Sequence, residues 1–136
     1  MRYQLQKDVK PIKMLLLSGF LLVLLACKKE ITETAVDAFA QINTEVKYSK
    51  GIYNVQFTLQ EYPYKEVGIK LAISKSMIHQ NLNVRQEIAN QASLNRYAVF
   101  LNNLAANKTY YYQIYVKDSA SAKEVYSDIF SFTTNP

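Results

Sequence analysis

Apolar and polar residues alternate one by one in run after run between Tyr53 and Phe132. This pattern constrains the fold of the 136-residue chain more than any other feature. A repeat of two is that of a β-strand with one face buried. Tyr53, Val55, Phe57 and Leu59 alternate with Asn54, Gln56 and Thr58. Val67, Ile69, Leu71 and Ile73 alternate with Gly68, Lys70 and Ala72. Tyr97, Val99 and Leu101 share one face, with Ala98 and Phe100 on the other. Tyr110, Tyr112, Ile114 and Val116 alternate with Tyr111, Gln113, Tyr115 and Lys117. A last run spans 125–134, and a weaker one over 38–46 reads as an edge strand. Turn residues separate the runs: Lys50-Gly51, Tyr62-Pro63-Tyr64, Asn102-Asn103, Ala106-Asn107 and 118–121. With 11 Tyr, 6 Phe and only 3 Gly, the composition suits pleated sheet rather than disorder. The expectation is an all-β chain, an antiparallel sandwich of two sheets with about seven strands.

Residues 74–93 interrupt the alternation. Residues 83–92 fit one or two helical turns with Val84, Ile88 and Ala92 inward, or an extra strand followed by an irregular loop.

The N-terminus has a different organisation. Residues 1–13 are basic and polar, residues 14–25 are almost wholly apolar, and Ala26-Cys27-Lys28-Lys29 follows. That order is the pattern of a secretory signal, and 12 apolar residues are too few for a spanning helix, which needs about 20. Leu24-Leu25-Ala26-Cys27 resembles a lipobox, although Leu25 is larger than is usual at its place. The resemblance implies acylation of Cys27 and cleavage before it, hence a leader over 1–26, a lipidated tether over 27–36 and a folded domain over 37–136. The Cys-Lys-Lys-Glu start lacks the Asp that would indicate inner-membrane retention, which points to the outer membrane, with surface exposure an option.

The net charge of +5 is mostly a property of the leader. Arg2, Lys7, Lys10 and Lys13 against Asp8 account for +3 of it, and the remaining lysines are scattered. A nucleic-acid footprint needs a clustered basic stripe, so nucleic acid is not an expected partner. With one cysteine in the chain, no internal disulfide can form.

Residues 104–110, Tyr111 to Val116, Tyr126-Ser127, 131–134 and 66–69 resemble a bacterial fibronectin type III domain over about 38–134. Ala106 and Lys108 stand where that family usually has Pro and Thr. The resemblance implies an immunoglobulin-like sandwich with Tyr110 as the corner tyrosine at the start of the sixth strand.

No catalytic constellation is present in the sequence. His79, the single histidine, has no neighbouring ligands or acids and reads as a solvated loop residue. There is no nucleophile elbow and no glycine-rich phosphate loop. Glu61, Glu66, Glu87, Asp118, Glu124 and Asp128 are dispersed. Nothing in the chain calls for a cofactor or a metal. The candidate ligand contacts are Tyr111 and Tyr115, facing away from the core, and Tyr62 and Tyr64 beside a turn. Asn107-Lys108-Thr109 fits the N-linked acceptor pattern, which is common by chance. Asp118-Ser119-Ala120 resembles an O-glycosylation motif of some surface lipoproteins, which makes Ser119 a candidate acceptor. The expectation is a lipid-anchored envelope protein acting as a non-catalytic binding module, with an envelope protein or glycan as partner. The alternatives are a structural subunit of a surface assembly and a small hydrolase of envelope sugars.

Overall fold

The computed structural model describes residues 37–120 and 123–136. The chain divides into two units, Met1–Ala35 and Val36–Pro136, and the described residues belong to the second. The leader, Cys27 and the tether lie outside the described residues. Among the described residues no helix is long and apolar enough to cross a membrane.

Among the described residues there are eight strands and one short helix, and the strands form two four-stranded antiparallel sheets. The strands are β1 (Asn43–Ser49), β2 (Ile52–Thr58), β3 (Glu66–Ala72), β4 (Arg85–Ile88), β5 (Asn90–Ser93), β6 (Arg96–Leu101), β7 (Thr109–Lys117) and β8 (Glu124–Thr133), and the helix is α1 (Lys75–Gln80). One sheet has the order β1-β2-β6-β5 and the other β4-β3-β7-β8. This is the strand arrangement of an immunoglobulin-like sandwich, with β4 as an added edge strand.

The alternating residues supply the core. Val55, Phe57, Ile69, Leu71, Val99, Leu101, Tyr112 and Ile114 are buried between the sheets. Register follows from this, because a slip of one residue would turn each of these side chains outward. Ile69 pairs with Ile114 and Val55 with Val99, so the most buried positions sit opposite one another. Lys50 (φ 52°) and Gly51 (φ 82°) both take positive φ and close the β1–β2 hairpin. Two consecutive positive φ values match a type I′ turn, whose twist suits the flanking strands.

Two sequence expectations change, the bounds of the first strand and the place of the helix. The first strand runs Asn43–Ser49 rather than over 38–46. Asp37 Oδ1 accepts the Phe39 N–H at 3.1 Å, and the Ala40 N–H reaches the Asp37 carbonyl, so the segment before it is a turn. The helix lies at Lys75–Gln80, not over 83–92. Ser74 caps it through its side chain on the Met77 N–H, and Asn81 ends it at φ 52°. A helix this short has little stability of its own, and buried Ile78 anchors it. The chain then extends as β4 against β3, which is the extra strand of the alternative reading, and Ile88 is 66% exposed instead of inward. The eight strands among the described residues agree with the expected sandwich of about seven. The strand that the alternation did not show is the four-residue β5, exposed throughout, which pairs with β6 after the chain crosses between sheets at Ala89. The Ala89 N–H donates to the Val67 carbonyl at 2.8 Å and pins that crossing.

Tyr110 fixes the 102–108 crossing. Its hydroxyl accepts the Ala105 N–H at 3.0 Å, and its ring stacks on Phe132 with centroids 5.9 Å apart. Thr134 closes the other side, donating to the Ala105 carbonyl at 2.6 Å and accepting the Lys108 N–H at 2.9 Å.

Candidate functional site

Strand parity puts Glu66, Gly68 and Lys70 of β3, and Tyr111, Gln113, Tyr115 and Lys117 of β7, on the outer face of the second sheet. Register extends the rows across the sheet. Glu66, Lys117 and Glu124 form one row, and Ile88, Gly68, Tyr115 and Tyr126 the next. Gln86, Lys70, Gln113 and Ile129 form the third, and Ala72, Tyr111 and Ser131 the fourth. A bulge in β8 between the Tyr126 and Ile129 pairings is fastened by Ser127, whose Oγ accepts the Ile114 N–H at 3.0 Å. α1 packs against β3 and β7 at the Ala72 end.

Charged and phenolic side chains on this face bind one another. Lys117 Nζ donates to Glu66 Oε1 at 2.7 Å and lies 3.5 Å from Glu124 Oε1. The Tyr115 hydroxyl donates to the same Glu66 oxygen at 3.0 Å. Lys70 is 9% exposed, although it is a lysine on an outer face. Its Nζ donates to the Tyr126 hydroxyl at 3.1 Å and lies 4.4 Å from that ring's centroid and 3.8 Å from Glu124. The Tyr126 hydroxyl in turn donates to Glu124 Oε2. These contacts set the protonation. The Lys117 ammonium, then the Tyr115 hydroxyl, hold Glu66 below the usual carboxylate range. The Tyr126 hydroxyl does most to lower Glu124. Glu66 raises Lys117 in return.

Glu66 and Glu124, far apart in sequence, thus meet at Lys117. Both are pushed towards the ionised form, the opposite of what a general acid of a sugar hydrolase needs, and they stand on an open sheet. Among the described residues no group of three or more His, Cys, Asp or Glu side chains could hold a metal ion.

The four candidate tyrosines are placed differently. Tyr111 is half-buried on the outer face. Tyr115 points outward, but its exposure is 0%, which corrects its reading as an open contact. Its ring lies over Gly68, where there is no side chain to lift it, and burial, as the largest cause, raises its phenol pKa. Tyr62 and Tyr64 are half-buried neighbours with ring centroids 5.2 Å apart. The Tyr62 hydroxyl donates to Asp118 at 3.0 Å and that of Tyr64 to the Gln60 carbonyl at 2.9 Å. Burial pushes Tyr64 up to about 12. Both brace the β2–β3 loop. Tyr64, Glu66, Ile88, Gln91 and Tyr97 also line a shallow depression of about 330 Å³ beside the face.

Ser119 is exposed in the β7–β8 turn, and His79 is exposed in the last turn of α1. The sequence reading missed Lys70, Tyr126 and the convergence of the two glutamates. Strand parity on β3 and β7 carried part of the signal, but the register of β8 past its bulge did not show in the pattern.

No protein-family model matches the chain, and no curated protein does. A similar solved structure is the bromine-derivative crystal structure of BhCBM56, a carbohydrate-binding module. It is 10% identical, with 68% of this chain and 90% of that one covered, at a TM-score of 0.48.

Proposed function

We propose that the chain is a lipoprotein of the cell envelope, anchored at the outer membrane through Cys27, and that its sandwich is a non-catalytic binding module. Its binding surface is the outer face of the β4-β3-β7-β8 sheet. One observation carries that assignment: Lys70 is held almost fully buried in the middle of a solvent-facing sheet, under Tyr126 and Glu124. A lysine is rarely buried without a reason, because desolvating the ammonium costs more than a surface ion pair returns. An ordered, pre-positioned face of tyrosines and paired charges is what a binding surface needs to limit the entropy lost on association. The anchor rests on the leader pattern and the residues around Cys27.

Two measurements on intact cells test this reading. A palmitate analogue should label the protein, and Cys27→Ala should abolish the label. Mild crosslinking should capture a specific envelope component, and Tyr126→Ala should lose it. An unlabelled wild type removes the lipoprotein assignment. An identical crosslinking pattern in Tyr126→Ala removes the binding face.

A further inference from the structure

We infer that the ligand of the outer face is a neutral, linear oligosaccharide lying along β7, bounded by Tyr126 at one end and Tyr111 at the other. This rests on the reading of that face as the binding surface.

The charges decide the class of ligand. Glu66 and Glu124 face Lys70 and Lys117, two carboxylates against two ammonium groups, so this central cluster carries no net charge. An anionic ligand would have to displace Glu124 from Lys70 and Lys117. A cationic one would have to displace Lys117 from Glu66. An uncharged ligand disturbs neither pair.

The unused polar groups decide the rest. An ammonium has three donors, and Lys70 makes one hydrogen bond, to Tyr126, with Glu124 at 3.8 Å beyond hydrogen-bond reach. Tyr126 and Glu124 cover that ammonium, so Lys70 holds the Tyr126 ring in place rather than meeting a ligand itself. On the neighbouring strand Gln113 is fixed by its amide nitrogen, which donates to the Ser127 carbonyl at 2.8 Å, and its amide oxygen remains an acceptor. A fixed acceptor beside an exposed aromatic ring suits a sugar, whose hydroxyls donate and whose ring face stacks.

The aromatic rings set the length. Tyr126, 41% exposed, stands beside Tyr115, and Tyr111 lies four residues back along β7. At ~3.3 Å per residue that step is about 13 Å, roughly the reach of three linked hexose rings. The exposed face of Tyr126 would stack on the first ring, the Gln113 amide oxygen would accept from a hydroxyl of the second, and Tyr111 would bound the third. A peptide would want a deep apolar pocket for an anchor side chain, and the depression beside this face is shallow.

The test is calorimetric titration of the full-length lipidated protein in detergent. The probes are glucose, mannose and N-acetylglucosamine oligomers of one to six units, with oligogalacturonate as the anionic comparison. One neutral series should bind, with affinity rising up to three units and then levelling off. Tyr126→Ala should weaken it about tenfold, the scale of one stacked ring. Tyr126→Phe, which keeps the ring, should restore most of that loss and so separates stacking from folding. Tyr111→Ala should remove only the gain from the second to the third unit. Length-independent binding, no binding by any neutral series, or tighter binding of oligogalacturonate overturns the inference. If a crosslinked envelope protein still depends on Tyr126 while no sugar binds, the ligand class is wrong and the binding face stands. If both fail, both readings fall.

Discussion

The ring of Tyr115 lies across Gly68, and a Cβ built on that glycine would come within 2.6 Å of the tyrosine oxygen and 2.4 Å of the Glu87 carbonyl. Neither neighbour can easily move. The hydroxyl is held by Glu66, and the carbonyl belongs to the paired strand β4. Gly68→Ala should therefore destabilise the domain by about 1–3 kcal/mol, the usual scale of overpacking. Chemical denaturation checks it, and an unchanged midpoint would show that the outer face is looser than described.

The Tyr110 hydroxyl accepts the Ala105 N–H in a crossing that no strand supports. Tyr110→Phe keeps the stack on Phe132 and removes only that bond. The loss should be about 1 kcal/mol, the net worth of an ordinary hydrogen bond. Hydrogen exchange at Ala105 should quicken in the same variant. Unaltered exchange would mean that the bond does not hold the crossing.

Acid should weaken the domain through Glu66 and Glu124. Both have folded pKa values below their unfolded ones. Their contribution is therefore present above the unfolded carboxylate range and is lost as pH falls through the lowered values. Since both side chains are partly exposed, screening keeps the effect small, and it should shrink further in high salt. Thermal melts of wild type and Glu66→Gln between pH 6 and roughly pH 3 provide the check. The variant should lose less stability over that interval, and parallel curves would reject the account.

Alkali acts through Tyr64, whose phenol is raised from the usual 10 to about 12 by burial. A raised value means stability that is complete below pH 10 and declines as pH climbs towards 12. Tyr64→Phe forfeits the bond to the Gln60 carbonyl, so it should start less stable at neutral pH. It should then fall less steeply above pH 10. Equal slopes for the two proteins, followed by circular dichroism, would show that some other tyrosine governs the alkaline limb.

The inner faces of the sandwich were legible because each strand buries one side against a partner sheet. Val55, Ile69, Val99 and Ile114 follow directly from period two. The outer face was not legible to the same degree. Alternation says that Tyr115 and Lys70 point away from the core, but it cannot say what then covers them. Tyr115 is covered because Gly68 leaves it room, and Lys70 because Tyr126 folds over it, a relationship set by pairing across β8 and its bulge. α1 escaped for another reason. Its limits come from single-residue chemistry, the Ser74 cap and the left-handed Asn81, and six residues are too few to show a helical period. The 38–46 run misled because Phe39 and Ile42 pack against the core from a turn, so apolar residues appear there without a strand.

Ala38 meets the chain just past β2, where its carbonyl accepts the Gln60 N–H, whereas the Asn135 N–H reaches the Tyr53 hydroxyl at the opposite end of that strand. The described domain is thus gripped at its two poles. Tension applied between Asp37 and Pro136 would run along β1 and β8, sliding each against its one neighbour. In that direction the rungs of a ladder share the load and must fail together, whereas a pull across the strands would open them one at a time. Along that axis the β1–β2 and β7–β8 ladders are loaded in shear.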